Sequence, residues 1–197
     1  AALLERDPRI VGFGVYIWNV RETTEVVAML KRLRPEVTVI LGGPEVSHET
    51  QAQPIVELAD HVITGEADLK FAEVCRVLVN RCEDNTSASF PKVIHAELPD
   101  VNTLASPYGF YDDRDIAHRI VYVEASRGCP FTCEFCLSSL DVPVRSFALE
   151  PFLADMERLL ARGLRQFKFV DRTFNLNLQT SRAILEFFLQ RMRPGLF

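Results

Sequence analysis

The sequence predicts an α/β protein in two parts: an N-terminal doubly wound parallel sheet, then the first βα units of a (β/α) barrel. Three observations carry that reading. Short, continuously apolar runs alternate with longer stretches of helical periodicity, the pattern of βαβ units. Glycine turns, Gly42-Gly43 and Gly65-Glu66, close two of the apolar runs. A polar stretch with proline and glycine turns then separates two such halves, giving a first domain over 1–82, a linker over 83–118 and a second domain over 119–197.

The first run, Ile10 to Ile17, reads as a strand buried on both faces, with Trp18 and Asn19 at its carboxyl end. A helix over 22–34 follows, with Val26, Val27, Leu30 and Leu33 as its apolar stripe and Pro35 as its stop. Val37 to Leu41 is the second strand and His61 to Thr64 the third, with a short helical segment over 53–59 between them. The helix over 68–80 turns Phe71, Val74, Cys75 and Leu78 to one face. Cys75 and Cys82 therefore read as small apolar or near-surface residues. In the linker, Tyr108, Phe110 and Tyr111 are expected to pack the chain down.

The second half opens with the strand Ile120 to Val123, whose exit is Ser126-Arg127-Gly128. Extended chain over 142–148 leads to a helix with Pro151 in its first turn, Phe152, Met156, Leu159 and Leu160 as its stripe, and Gly163 ending it. Gln166 to Val170 is the next strand, Asp171 to Asn175 lies at its carboxyl end, and a helix over 178–192 follows. Chemistry collects at the carboxyl ends of strands in such folds. A complete barrel needs well over a hundred more residues, and the N-terminus begins as if inside a helix without an initiator Met. The expectation is a fragment that is not a competent catalyst alone.

The chain is 48% hydrophobic and 25% charged, enough for packed cores, and its net charge of −5 argues against a general nucleic-acid or anionic-membrane surface. No run approaches a membrane span and no signal peptide is visible. Neither nucleic acid nor a membrane is expected as a partner, and the cytoplasm is the expected location.

Chemistry concentrates in Cys129-Pro130-Phe131-Thr132-Cys133-Glu134-Phe135-Cys136, where three of the five cysteines are spaced C-x₃-C-x₂-C. Three thiolates in one short loop can surround one small inorganic centre. A [4Fe–4S] cluster is normally held by four Cys, so three would leave one iron open to another ligand. A structural zinc site would want a fourth ligand, and His95, His118 and Cys82 show no such pairing. A disulfide framework fits poorly with an odd cysteine count and no secretory signal. Ferredoxins use a different spacing and a fourth Cys.

At Cys129, Cys133, Phe135 and Cys136 the chain resembles the radical S-adenosylmethionine (radical SAM) enzymes. The resemblance implies a [4Fe–4S] cluster on the three cysteines, S-adenosyl-L-methionine chelated to the open iron, and reductive cleavage to a 5′-deoxyadenosyl radical. It also implies that Phe135 lies beside the adenine. An α/β domain carrying Leu-Gly-Gly-Pro-Glu and Thr-Gly-Glu before this motif resembles the Rossmann-like cobalamin-binding domain of cobalamin-dependent members, which implies cobalamin near Gly42 and Gly43. From spacing alone, the favoured reading of Gly42-Gly43 is a tight strand-to-helix turn.

The same resemblance makes Asp171 a contact for the amino group of S-adenosylmethionine, beside the plainer reading of an Asp capping the following loop or helix. Arg127 reads as either an anion contact or an ion pair. The implied reaction is methyl transfer or a rearrangement on an unknown substrate, with an electron donor such as flavodoxin or ferredoxin. The alternative is a non-catalytic iron–sulfur electron carrier or sensor with an α/β partner-binding module.

Overall fold

The computed structural model describes residues 3–84, 90–136 and 143–192. It divides the chain into two compact units, Ala1–Pro99 and Asp100–Phe197. The polar segment over 85–89, Leu137 to Val142 and Pro194-Gly195 lie outside the described residues, as does the side chain of Cys82.

The first unit is a four-stranded, all-parallel sheet in the order β1 (Ile10–Gly14), β2 (Thr38–Gly42), β3 (His61–Thr64) and β4 (Val93–His95). Alternate side chains of a strand face opposite ways, so the sheet buries two separate cores. Val11, Val39, Leu41 and Val62 pack with Val27 and Leu30 of α1 (Val20–Leu33) and Ile55 and Val56 of α3 (Pro54–Leu58). Ile40, Ile63 and Ile94 pack with Val74, Cys75 and Leu78 of α4 (Asp68–Asp84). A short helix α2 (Pro44–Ser47) starts directly after Gly43 and buries Val46.

Three expectations change here. β1 ends at Gly14 although the apolar run continues to Ile17, because the chain turns at once. Asn19 secures that turn by accepting the Tyr16 N–H at 2.8 Å and donating to the Gly14 carbonyl at 3.0 Å. In α1 the buried face is Thr23, Val27 and Leu30, while Val26 and Leu33 are exposed. Finally, the stretch expected to link two domains is shared between the units: Val93 to His95 becomes the fourth strand, pairing Val62↔Val93, Ile63↔Ile94 and Thr64↔His95.

In the second unit, β5 (Val121–Val123) and β8 (Phe167–Phe169) pair in parallel, connected through α6 (Leu149–Ala161), and α7 (Leu178–Leu189) follows β8. Phe152, Met156, Leu159 and Leu160 are buried, as the period predicts. Gly163, at φ +96, ends α6 in a Schellman motif: its N–H bonds to Leu160 O and that of Leu164 to Leu159 O, both at 3.0 Å. The core is aromatic, with Phe152, Phe167, Phe169, Phe174, Phe187 and Phe188 around Val121, Val123 and Ile184. The helix α5 (Asp113–His118) precedes β5 and carries a capping box between Asp112 and Asp115. Tyr108 is buried and Tyr111 packs on this core, but Phe110, in the same short turn, is exposed.

Two further strands of two residues each, β6 (Ser126–Arg127) and β7 (Arg145–Ser146), pair antiparallel in the register Ser126↔Ser146 and Arg127↔Arg145. This ladder closes the base of the loop that carries the three clustered cysteines.

Candidate functional site

In the first unit the carboxyl ends of β1 and β2 lie side by side, and Gly14 is the register partner of Gly42. With Gly12 they leave out the side chains that would otherwise fill the sheet surface. The result is a cavity of about 270 Å³ lined chiefly by these glycines and by Ile40, Ile63, Ala67 and Phe71. A Cβ on Gly12 would lie 2.9 Å from the Phe71 ring, so that ring is the cavity's wall. A Cβ on Gly42 would stand 3.6 Å from the nearest atom, the Ile63 carbonyl oxygen, in ordinary contact.

Gly43 behaves differently. Its φ is +105, and a Cβ there would sit 2.5 Å from the Val15 carbonyl oxygen and 2.9 Å from the Val15 nitrogen. The close approach is fixed by backbone bonds, Val15 N–H to Gly42 O at 2.7 Å and Glu45 N–H to Val15 O at 3.3 Å. Gly43 is thus a turn residue in fact, and Gly42 is the one that lines open space. Ser47 ties the neighbouring turns together, donating to Gly43 O at 2.8 Å and accepting from Gly65 N at 3.3 Å.

Pattern reading missed one feature at this end. Tyr16 and Trp18 stack with ring centroids 4.6 Å apart, and Trp18 is 74% exposed. The Tyr16 ring lies against Gly14, so the stack adjoins the glycine floor. An apolar run ending a strand looks like more strand, and the signal available was only Asn19 as a turn former.

In the second unit the cysteine loop begins just after β5. Cys129 and Cys136 are half-buried, Cys133 is exposed, and the Cys136 N–H bonds to Cys133 O at 3.1 Å. Phe135, expected beside an adenine, is 94% exposed. Among the described residues no three His, Cys, Asp or Glu converge as a metal site. The donor set itself, three thiols within eight residues of one loop, suits an iron–sulfur centre that draws its ligands in when it binds.

Three braces fix where the loop starts. The Asp171 carboxylate accepts the Ala125 N–H at 3.1 Å and the Ser126 hydroxyl at 2.7 Å. The buried Tyr108 hydroxyl accepts the Glu124 N–H at 2.9 Å, and burial pushes its pKa up to about 12. Thr173 places its hydroxyl 3.7 Å from the Cys129 sulfur. Asp171 does bond to nearby chain, but to the segment between β5 and β6 and to the Ser126 hydroxyl rather than to the loop or helix that follows it. Arg127 forms the ion pair, with Glu124 at 2.9 Å, and its guanidinium lies over Phe147. Cys75 sits in the α4 core, where burial raises its thiol pKa.

Comparison with known proteins bears on both units. Residues 1–75 match the B12 binding domain family. Across 91% of its length the chain is 24% identical to the cobalamin-dependent radical SAM methyltransferase TokK of Streptomyces tokunonensis. It is 26% identical, over the same share, to the 2-(S-pantetheinyl)-carbapenam-3-carboxylate methyltransferase of Streptantibioticus cattleyicolor. These matches make the chain similar to cobalamin-binding radical SAM proteins.

The chain spans 30% of the length of each of these two relatives. A third, an uncharacterised methyltransferase of Pyrococcus horikoshii, is 27% identical over 87% of the chain and 41% of its own length. The fold of this chain is similar to that of part of the radical S-adenosylmethionine methyltransferase TsrM from Kitasatospora setae. One TsrM structure, with tryptophan substrate and aza-SAM, gives a TM-score of 0.65 at 19% identity, covering 96% of this chain and 42% of TsrM. Another, with cobalamin and a [4Fe–4S] cluster, gives 0.62 at the same identity over 93% of this chain and 41% of TsrM. Among the described residues no helix is long and apolar enough to cross a membrane.

Proposed function

We propose that this chain is the cofactor-binding portion of a cobalamin-dependent radical SAM methyltransferase. The observation that carries the proposal is the three-cysteine loop held at the carboxyl end of β5, in a chain whose first 75 residues match the B12 binding domain family. Methyl transfer is preferred to rearrangement because the curated relatives are named methyltransferases.

In this reading Cys129, Cys133 and Cys136 hold a [4Fe–4S] cluster and leave one iron for S-adenosyl-L-methionine. The bound cofactors supply reductive cleavage to a 5′-deoxyadenosyl radical and a carrier for the methyl group. The residues of the chain bind and orient. Phe135, exposed on the same loop, covers the adenine. Asp171 uses two of the roughly four lone-pair sites of a carboxylate on Ala125 and Ser126, which leaves capacity for the amino group of S-adenosylmethionine.

Gly42, Gly12 and Gly14 form the floor against which the apolar part of a corrinoid's tail can lie, while Gly43 shapes the turn beside it. The size of that cavity suits a part of cobalamin rather than the whole. A flavodoxin- or ferredoxin-type donor would supply the electron, and a reducing cytoplasm suits the clustered thiols.

The test is anaerobic reconstitution of the protein at its full length. The reading expects about four irons per chain, corrinoid absorption bands, and 5′-deoxyadenosine on reduction with S-adenosylmethionine. A stable cluster with no cleavage of S-adenosylmethionine would instead favour an electron carrier.

A further inference from the structure

We infer that the Thr173 hydroxyl is an outer hydrogen-bond donor to the Cys129 sulfur and raises the reduction potential of the centre that Cys129 helps to hold. The inference rests on the cluster assignment above. It starts from the 3.7 Å contact between Thr173 Oγ1 and Cys129 Sγ, made between residues 44 positions apart. Either atom can donate while the sulfur is a thiol. A thiolate bound to iron has no proton to give, so the hydroxyl becomes the donor.

The contact is built into the fold. Asp171, two residues before Thr173, is anchored to Ala125 and Ser126, which lead into Cys129. On the other side the Thr173 carbonyl accepts the Leu176 N–H at 3.2 Å, and the Phe174 carbonyl accepts the Ser181 hydroxyl at 2.7 Å. The chain is thus pinned on both sides of Thr173, which holds its backbone beside the Cys129 sulfur. Of the three cysteines, Cys129 is the one nearest the strand and so the one whose place the scaffold sets most firmly.

Hydrogen bonds to ligand sulfurs are among the levers that set iron–sulfur potentials. Adding an electron places more negative charge on the sulfurs, so a donor there stabilises the reduced form more than the oxidised one. Removing the donor must make the centre harder to reduce. A residue that was merely structural would change cluster occupancy or melting temperature and leave the potential alone.

The experiment is an anaerobic redox titration of the reconstituted full-length protein, with a chemical reductant supplying the electron and visible absorption following the cluster. Thr173→Val keeps the branched shape and deletes the hydroxyl, whereas Thr173→Ser keeps the hydroxyl. At the wild-type midpoint, Thr173→Val should lower the ratio of reduced to oxidised cluster about tenfold, equivalent to about 59 mV for one electron. Thr173→Ser should titrate with the wild type. Should Thr173→Val reconstitute poorly, Thr173→Ala must show the same fall at matched iron content. An unchanged midpoint in the hydroxyl-free variants, with iron retained, overturns the inference and leaves the cluster assignment standing. A wild-type protein that takes up no iron overturns both.

Discussion

The carboxyl ends of the strands in the two units are prepared for ligands in opposite ways. In the first unit the place for a ligand is made by what is missing: Gly12, Gly14 and Gly42 withhold side chains over a sheet otherwise close-packed with Val and Ile. In the second unit it is made by what is carried: three thiols and an exposed Phe135 on a loop that packs on little, braced from outside by Tyr108, Asp171 and Thr173. The first site is shaped by the fold before any ligand arrives. The second has its starting point fixed, and on the proposed reading its interior is left for the ligand to organise, as in metal-coupled loops.

That contrast gives the largest expected effect. Single Cys→Ala changes at Cys129, Cys133 or Cys136 should abolish the cluster, with bound iron as the readout, and leave the first unit's corrinoid binding intact. Cys75→Ala should leave iron unchanged, since Cys75 belongs to the α4 core. Loss of all iron in Cys75→Ala would break the assignment.

The next effect separates two adjacent glycines. At Gly43 any side chain meets the Val15 backbone at 2.5 Å in a backbone conformation of φ +105. Gly43→Val should therefore destabilise the first unit by about 3 kcal/mol or more, from strain and overpacking together. Gly42→Val should leave the melting temperature nearly unchanged, because its Cβ has room and strands favour valine. It should nonetheless abolish corrinoid binding in a spectral titration. Retained binding in Gly42→Val would show that the glycine floor is not the site.

How much of this was readable beforehand differs between the halves for a physical reason. The helical faces of α4 and α6, the parallel alternation and the Gly163 stop all follow from local periodicity and backbone chemistry, and the structure keeps them. The three-cysteine loop was legible as donor chemistry because its thiols are at most seven positions apart. The braces were not: Ala125 and Asp171 are 46 positions apart, and no local pattern records such a bond. The β6–β7 ladder is two residues a side, too short for any period. The distinction between Gly42 and Gly43 needed the backbone of Val15, which only the folded sheet brings near.

Asp171 offers a smaller effect that sharpens the idea of an outside brace. Asp171→Asn can keep both of its bonds, because the amide oxygen can accept from Ala125 N while the amide nitrogen donates to a rotated Ser126 hydroxyl. Stability and iron content should barely change. S-adenosylmethionine affinity should fall roughly tenfold to a hundredfold if the lost charge faced its amino group, the worth of a charge-assisted bond at about 1.5–3 kcal/mol. Asp171→Ala removes the brace as well and should also lower the melting temperature. Unchanged affinity in Asp171→Asn would leave Asp171 with the bracing role alone.

The smallest effect concerns Tyr108, whose hydroxyl holds the Glu124 N–H at the exit of β5. Tyr108→Phe keeps the ring against Phe152 but strands that N–H, at a cost of about 1–3 kcal/mol where water cannot reach it. The pH dependence supplies the sign. Burial raises the Tyr108 pKa from its ordinary 10.0 to about 12, so the folded state favours the neutral phenol. Below pH 10 both folded and unfolded forms are neutral, and this contribution is fully present. Between pH 10 and about 12 the unfolded chain ionises while the folded one resists, so stability falls as pH rises. Denaturant melts of the second unit should show this alkaline loss in the wild type, and Tyr108→Phe should flatten it. An equally steep alkaline loss in the variant would assign it to other groups and leave Tyr108 as a packing residue.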